Sequence, residues 1–453
     1  MLDPAQSARR RTIKKSIAWG FWAANIVVIF WFWLPSGSVE VASGDLVTAL
    51  HAIGRLFGLF ATFAALTQFI LMGRVGWLEP IFGMDRLAIF HRRNGEATLL
   101  LMLAHATLMI ITHQLLVGST NFLGVFDLPY VLLAFIGLCL FIVTVGLSIQ
   151  ITRKHLKFET WYAVHLLNYA AIAFVPWHQL TNGSDFLINP TFAYYWIALY
   201  LFTLLNVLYF RFGMTIFKYF RYGFKVERIV KETSTATSVY ITGKHLDNYH
   251  AKGGQFVLVR FFDKKFVLQE HPFSLSRLPS LQNLRLTIRQ LGDFTNMIPE
   301  LKPGTPVWVS GPFGSFTHDL RRTKKVLYIA GGIGITPIRS MIEQQANNAE
   351  TNNAILLYGN RTESDTIFLQ ELRRLAKAMA MPMYNVLSEQ KSYAGEKGYI
   401  DKEKIMRLVP DVKTRDIFLC GPPPMMWGIM DMLKEIGVPQ QQIHYERFAL
   451  HKG

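Results

Sequence analysis

Six stretches of the chain, at about 16–34, 48–72, 94–116, 129–151, 159–178 and 191–211, run for 18 residues or more with very few charges inside. At a rise of ~1.5 Å per residue, ~20 apolar residues cross the ~30 Å hydrocarbon core of a bilayer, so each stretch predicts a spanning helix. From about residue 223 the period changes. Phe224–Val230, Ser238–Thr242, Gln255–Phe261, Leu284–Arg289 and Pro306–Ser310 are short, rich in β-branched residues and separated by Gly or Pro turns, which predicts a small antiparallel barrel. From about 323, strands at Lys325–Ala330, Ala354–Tyr358, Met383–Leu387 and Asp416–Cys420 alternate with helical stretches, the pattern of a parallel sheet with helices on both faces. The expected organisation is a six-helix membrane bundle over 1–222, a barrel over 223–320 and an α/β domain over 321–453.

Charge fixes a direction. Arg9, Arg10, Arg11, Lys14 and Lys15 precede the first span; Arg74, Arg86, Arg92 and Arg93 lie between the second and third. Arg153, Lys154 and Lys157 lie between the fourth and fifth, and Arg211, Lys218, Arg221 and Lys225 follow the sixth. Segments 35–47, 114–128 and 179–190 hold no Lys or Arg. The positive-inside rule then puts both termini in the cytoplasm of an integral membrane protein, by expectation in a bacterial inner (cell) membrane. Much of the net charge of +16 is juxtamembrane, where it meets anionic membrane lipid, and needs no nucleic acid to explain it. The first span, rich in aromatics and without a cleavage signature after it, reads as a retained helix. Two cysteines, Cys139 in the fourth span and Cys420 far beyond, exclude a disulfide framework and a thiolate zinc site.

Ionisable groups inside spans are costly and therefore functional by default. His91 and His105 stand 14 residues apart in one hydrophobic segment, and His165 and His178 stand 13 apart in another. On helices these separations put two imidazole levels ~20 Å apart, the arrangement for two stacked hemes with bis-histidine iron. A spacing of 14 returns to within about 40° of one helix face, whereas 13 misses it by about 140°. The second helix must be kinked or rewound, and Pro176 is the expected place. His113 competes with His105 as a ligand, but lies only 8 residues further along.

Beyond the spans, KKVLYIAGGIGITP (324–337) is a strand, a glycine turn and a helix start. Gly331, Gly332 and Gly334 would let backbone amides approach a pyrophosphate, with Thr336 and the helix terminus adding donors. CGPPPM (420–425) puts Cys420 and Gly421 at the carboxyl edge of the sheet, where ligands bind in open α/β folds. In HPFSLS (271–276), Phe273 would pack on an isoalloxazine and Ser274 hydrogen-bond it; in LTIRQLGDFT (286–295), Arg289 and the turn at Gly292 would meet a flavin pyrophosphate. Arg361 follows the strand Ala354–Tyr358, where a guanidinium would meet a 2′-phosphate.

Taken together, FHRRNGEATLLLMLAH, WYAVHLLNYAAIAFVPWH, HPFSL, IRQLGDFT, VSGPFG, GGIGITP and CGPPPM occur in the order shown by the ferric reductase and NADPH oxidase family, which the chain resembles along essentially its whole length. The resemblance implies a ferric-reductase-like bundle with two b-type hemes, a ferredoxin-reductase-like FAD barrel and a Rossmann-like NAD(P)H domain. It assigns His91 with His165 to an inner heme and His105 with His178 to an outer one. It assigns FAD to His271, Pro272, Phe273, Ser274, Leu275, Ile288, Arg289, Gly292, Phe294 and Thr295. The dinucleotide falls to Gly331, Gly332, Gly334, Thr336, Pro337, Arg361, Cys420, Gly421 and Pro422. Relatives end on an aromatic that shields the flavin; here Phe448 is favoured over Tyr445. The chain departs from regulated members in lacking calcium-binding hands and a long outer loop, so no obligatory regulatory subunit is expected.

A nicotinamide gives two electrons at once and a heme accepts one, so a flavin must lie between them. The expected flow is NAD(P)H to FAD to inner heme to outer heme to an outside acceptor, with NADPH favoured and NADH also used. His51, Arg55 and His113 would form a polar cup at the outer heme. Three acceptors remain open: O2 giving superoxide, a ferric chelate, and a quinone or partner protein fed by an electron-donor module.

Overall fold

The computed structural model describes residues 4–118, 121–149, 158–264, 266, 269–350 and 353–446. The basic segment with Arg153, Lys154 and Lys157 lies outside the described residues, and so does Phe448. The chain forms two compact units: a helical unit, Lys15–Leu78 with Arg86–Gly213, and a sheet unit, Met1–Lys14 with Glu79–Asp85 and Met214–Gly453.

Among the described residues, five helices are long and apolar enough to cross a membrane. These are α1 (Pro4–Ala42), α2 (Leu46–Met72), α4 (Met84–Val117, after the short α3, Glu79–Phe82), α5 (Val131–Ser148) and a last run that opens with α9 (Pro190–Asn206). That run passes through a π-helical stretch, Val207–Gly213, into α10 (Met214–Tyr222). The hydrophobic stretch at 159–178 is two shorter helices, α6 (Phe158–His165) and α7 (Asn168–Asn182), with a turn at Leu166 and Leu167. The rewind needed between His165 and His178 is therefore there and not at Pro176, which lies inside α7. Asn168 makes the turn tolerable: its amide donates to the His165 carbonyl (2.9 Å) and its oxygen accepts from Thr144 (2.9 Å). The first helix also runs on to Ala42, past the end of the first expected span at about 34.

The core of the helical unit gathers Ile29 and Trp33 of α1, Ala52, Leu59 and Phe63 of α2, and Phe192 and Trp196 of α9, with Phe186 from the short α8 (Ser184–Ile188). Asp45 caps α2 by accepting from Val47 and Thr48 backbone amides. Small residues on α2 let its neighbours close in: a Cβ on Gly58 would stand 2.6 Å from His105 Nδ1, and one on Gly54 3.0 Å from Leu108 Cβ. Large apolar side chains such as Trp31, Leu100 and Leu205 face outward, as lipid requires.

The sheet unit begins with two three-stranded antiparallel sheets. One is ordered β1 (Lys225–Lys231), β2 (Ala236–Thr242), β5 (Asn283–Arg289); the other β4 (His271–Ser274), β3 (Phe256–Phe261), β6 (Val307–Phe313). Isolated bridges, Leu275 to Leu286 and Lys225 to Pro306, join their margins around one core that includes Val239, Ile241, Val257, Val259 and Leu286. A six-stranded parallel sheet follows, ordered β10 (Glu396–Lys397), β9 (Met383–Leu387), β8 (Ala354–Asn360), β7 (Val326–Gly331), β11 (Asp416–Cys420), β12 (Ile443–Glu446). Its central strands are apolar on both faces, with helices α11 (Ile335–Asn347), α12 (Leu369–Ala378) and α13 (Pro423–Ile436) packed on them. The edge strands β10 and β12 were not foreseen, because one has two residues and the other, Ile-His-Tyr-Glu, has little apolar signal.

Candidate functional site

In the helical unit the four span histidines meet in two pairs. The rings of His91 and His165 lie 6.0 Å apart, centre to centre, and those of His105 and His178 lie 6.5 Å apart. A metal–imidazole bond is about 2 Å and a ring centre lies about 1.1 Å behind its nitrogen, so two imidazoles facing one metal stand roughly 6 Å apart. Both pairs have the span that one bis-histidine iron needs. The pairing is the expected one, and His113 takes no part in it.

Surrounding groups set the rings. His105 Nδ1 lies 2.8 Å from the Gly54 carbonyl, which only accepts; the proton therefore sits on Nδ1 and leaves the Nε2 lone pair for a metal. Trp161 stacks on His165 at 5.1 Å and donates to Ser148 Oγ, which stands 3.4 Å from His165 Nδ1. Next to His178, buried Gln179 donates to Thr62 (2.6 Å) and accepts from Trp196 (2.9 Å) and Tyr200 (3.2 Å), which fixes α7 between α2 and α9. Gln179 and Asn168 escaped the sequence reading. Their only signal there is amides inside an apolar span.

Arg55 and His51 are close, with Nη1 3.4 Å from His51 Nδ1, but the strong partners of Arg55 are elsewhere. It forms ion pairs with Glu40 (2.8 Å) and Asp185 (3.1 Å), neither of which the sequence singled out.

In the sheet unit, β4 pairs with β3 and holds Phe273 against Phe294 at 6.2 Å, with the His271 ring 3.9 Å from Phe294. Ser274 is buried at the end of β4. Arg289 closes β5 with no ion pair among the described residues, and its Nη1 would lie 3.6 Å from a Cβ on Gly332. Gly332 has φ +50 and is otherwise open. A guanidinium without an ion pair among the described residues, facing a left-handed glycine turn, fits an anionic group such as a pyrophosphate.

The other motif glycines serve packing. A Cβ on Gly334 would meet the Cys420 carbonyl at 2.2 Å, and one on Gly331 would meet Met425 Sδ at 2.3 Å. They bring the two turns, after β7 and β11, into backbone contact. Thr336 is not a spare donor either: its hydroxyl proton goes to the Ile333 carbonyl at 3.0 Å. Thr295 Oγ1 accepts from the Leu291 and Gly292 amides and so caps its own turn. Ile288, Leu275 and Phe294 are core. Pro337 and Gly421 are buried beside the turn, with Pro272 and Pro422 more open.

Cys420 is fully buried, donates to the Glu446 carbonyl at 3.7 Å, and burial pushes its thiol well above the ordinary range. Burial of this kind favours the neutral thiol over the thiolate. Glu446, unforeseen in the sequence, is pushed up to about 8 by burial and by the Asp85 and Glu79 carboxylates. Glu79 itself is buried and accepts from the Gly314 amide at 2.8 Å. Arg361 is half exposed and, among the described residues, pairs with Asp365 at 3.5 Å.

Residues 57–176 match the family described as ferric reductase like transmembrane component, 224–316 an FAD-binding domain and 328–431 an oxidoreductase NAD-binding domain. This is the architecture of the ferric reductase and NADPH oxidase family. The chain thus combines a ferric-reductase-like transmembrane region with an FAD-binding domain and an oxidoreductase NAD-binding domain. Among curated relatives, a glycine betaine monooxygenase reductase subunit of Chromohalobacter salexigens is 27% identical over 239 residues, 51% of this chain and 64% of its own length. A flavohemoprotein of Oceanobacillus iheyensis is 27% identical over 240 residues, 50% of this chain and 58% of its own. The chain thus spans less than two thirds of either. A solved flavohemoglobin from Malassezia yamatoensis aligns with 91% of this chain and 98% of its own at 18% identity and a TM-score of 0.46.

Proposed function

We propose that this chain is a transmembrane flavocytochrome b: it takes electrons from cytoplasmic NAD(P)H and delivers them through FAD and two b-type hemes to an acceptor on the other side, foremost O2. Two histidine pairs with ring centres 6.0 and 6.5 Å apart carry this reading. In it, His91 and His165 hold the inner heme and His105 and His178 the outer; the hydrophobic stretch 158–182 supplies the sixth span, and both termini face the cytoplasm of the cell membrane. When bound, these groups split a hydride into two single electrons and pass each on, so NAD(P)H and two O2 give NAD(P)+, one proton and two superoxide anions.

The residues of the chain do the rest. The Gly54 carbonyl presents Nε2 of His105. Phe273 and Ser274 line the flavin ring, Arg289 meets a pyrophosphate beside Gly332, and Cys420 shapes the nicotinamide edge by packing. NADPH is preferred and NADH also serves, with no regulatory subunit required.

The test is cytochrome c reduction by purified protein given FAD and NADPH. The reading predicts oxygen-dependent reduction that superoxide dismutase abolishes; reduction insensitive to dismutase and oxygen contradicts O2 as acceptor. A second reading has support of its own, since several curated relatives are reductase subunits or components. In it the chain feeds a partner protein or quinone, and heme in the purified chain stays reduced in air. A ferric chelate is the third acceptor, and dismutase-insensitive iron reduction would identify it.

A further inference from the structure

Arg55 lies on α2 one residue beyond Gly54, whose carbonyl takes the Nδ1 proton of His105. Its guanidinium is closed on every side. Nε donates to Asp185 Oδ2 (3.1 Å), and Nη1 donates to both Glu40 oxygens (2.9 and 2.8 Å). Nη2 donates to Ser36 Oγ (3.3 Å) and Asp185 Oδ1 (3.4 Å), and Ser36 itself donates to Asp185 Oδ1 (2.8 Å). A guanidinium offers five N–H donors. Each of its three nitrogens has partners in the chain itself, with His51 Nδ1 also 3.4 Å from Nη1, and Arg55 and Asp185 are both buried.

Such an arginine has no donor left for an oxygen anion, a propionate or a carboxylate-rich chelate unless it drops a partner. Its charge is also overbalanced, because one guanidinium faces two carboxylates. The surroundings continue the trend: segments 35–47, 114–128 and 179–190 contain Glu40, Asp45, Asp127 and Asp185 and no Lys or Arg.

We propose that Glu40 and Asp185 determine which acceptor is used: by sequestering Arg55 they leave the His105–His178 end of the helical unit net negative, so that it serves neutral O2 or a cationic acceptor and disfavours anionic chelates. The inference rests on reading that end as the acceptor end. The step is one electron from the protein to one acceptor, with no proton or ligand exchanged. The same field drives off superoxide once it forms, and Glu40 and Asp185 act as positioning residues, through Arg55, rather than on the acceptor itself.

The experiment uses the purified full chain loaded with both cofactors and saturating NADPH. Reduction of hexaammineruthenium(III), a cation, is compared with that of Fe(III)-EDTA, an anion, each relative to the oxygen rate of the same preparation. Field effects of this kind change association by about tenfold or more and are screened beyond ~10 Å at 0.1 M salt. The cation should be favoured at least about tenfold at low salt, and the advantage should shrink as salt rises. In Glu40→Gln and in Asp185→Asn the KM for the ruthenium complex should rise and the ratio fall at low salt, with heme absorbance and melting temperature reporting loading and fold. Should Asp185→Asn lose its heme, Glu40→Gln, on the more exposed carboxylate, carries the test alone. A ratio that neither salt nor Glu40→Gln alters overturns the proposal while leaving the acceptor end in place. If no small acceptor, oxygen included, reoxidises the reduced protein, the acceptor-end reading falls and takes this proposal with it.

Discussion

The helical and sheet units carry chemistry in opposite ways. In the helical unit, isolated polar side chains stand in apolar surroundings, and three of them have a partner that fixes them: His105 on Gly54, Gln179 on Thr62, Arg55 on Asp185. In the sheet unit the decisive feature is the lack of a side chain, at glycines whose missing Cβ lets turns touch or backbone bend. Function in the first is therefore separable from folding one side chain at a time. In the second, binding and packing share the same few atoms, and a motif does not say which of the two a residue serves.

The largest effect should come from the histidines. His91→Ala or His165→Ala is expected to remove one heme, bringing heme per chain by absorbance to about half and abolishing NADPH-driven turnover; His105→Ala and His178→Ala should do the same for the other. Loss of both hemes in each variant would show that the pairs are not separable. For the glycines, Gly334→Ala drives a methyl into the Cys420 carbonyl and should cost about 1–3 kcal/mol, read as a drop in melting temperature. Gly332→Ala, at φ +50 with open space around it, should cost about 1 kcal/mol yet weaken dinucleotide or flavin binding more. Equal effects on both readouts would erase the division of labour between the two glycines.

A subtler contrast lies at Glu446, whose carboxyl is pushed up to about 8. An unfolded glutamate titrates near ~4.3, so between these values the folded state holds more protons than the unfolded one. Its contribution to stability is full below the unfolded value and is lost as pH rises to about 8, after which it is flat. Glu446→Gln should flatten that slope in melting temperature against pH; an unchanged slope would place the proton elsewhere. The smallest effect is expected at Arg361, which is half exposed and paired with Asp365. Arg361→Ala should reduce the preference for NADPH over NADH while leaving melting temperature within about half a kcal/mol.

How far the sequence spoke follows the same division. The histidine pairing was legible because helix geometry turns residue counts into distances, and an imidazole in a span has few other reasons to be there. The position of the break was not: proline marks a lost hydrogen bond, but the chain rewinds at Leu166–Leu167, where the Asn168 side chain takes up the His165 carbonyl and is itself held by Thr144 of another helix. The strands of the sheet unit were legible from their apolar runs. The roles of Gly334, Thr336 and Thr295 were not, since contacts between distant turns leave no trace in local pattern. Glu40, Asp185 and Glu446 escaped because a lone carboxylate at the end of an element looks like a solvated charge until its partners are seen.

The central claim, that electrons cross the membrane along the two histidine pairs, is tested most directly in sealed vesicles carrying the protein with its sheet unit outward and cytochrome c trapped inside. NADPH added outside should reduce the trapped cytochrome c, trapped superoxide dismutase should suppress it, and His105→Ala should abolish it. Reduction of external cytochrome c alone, or trapped reduction that survives His105→Ala, would contradict the account.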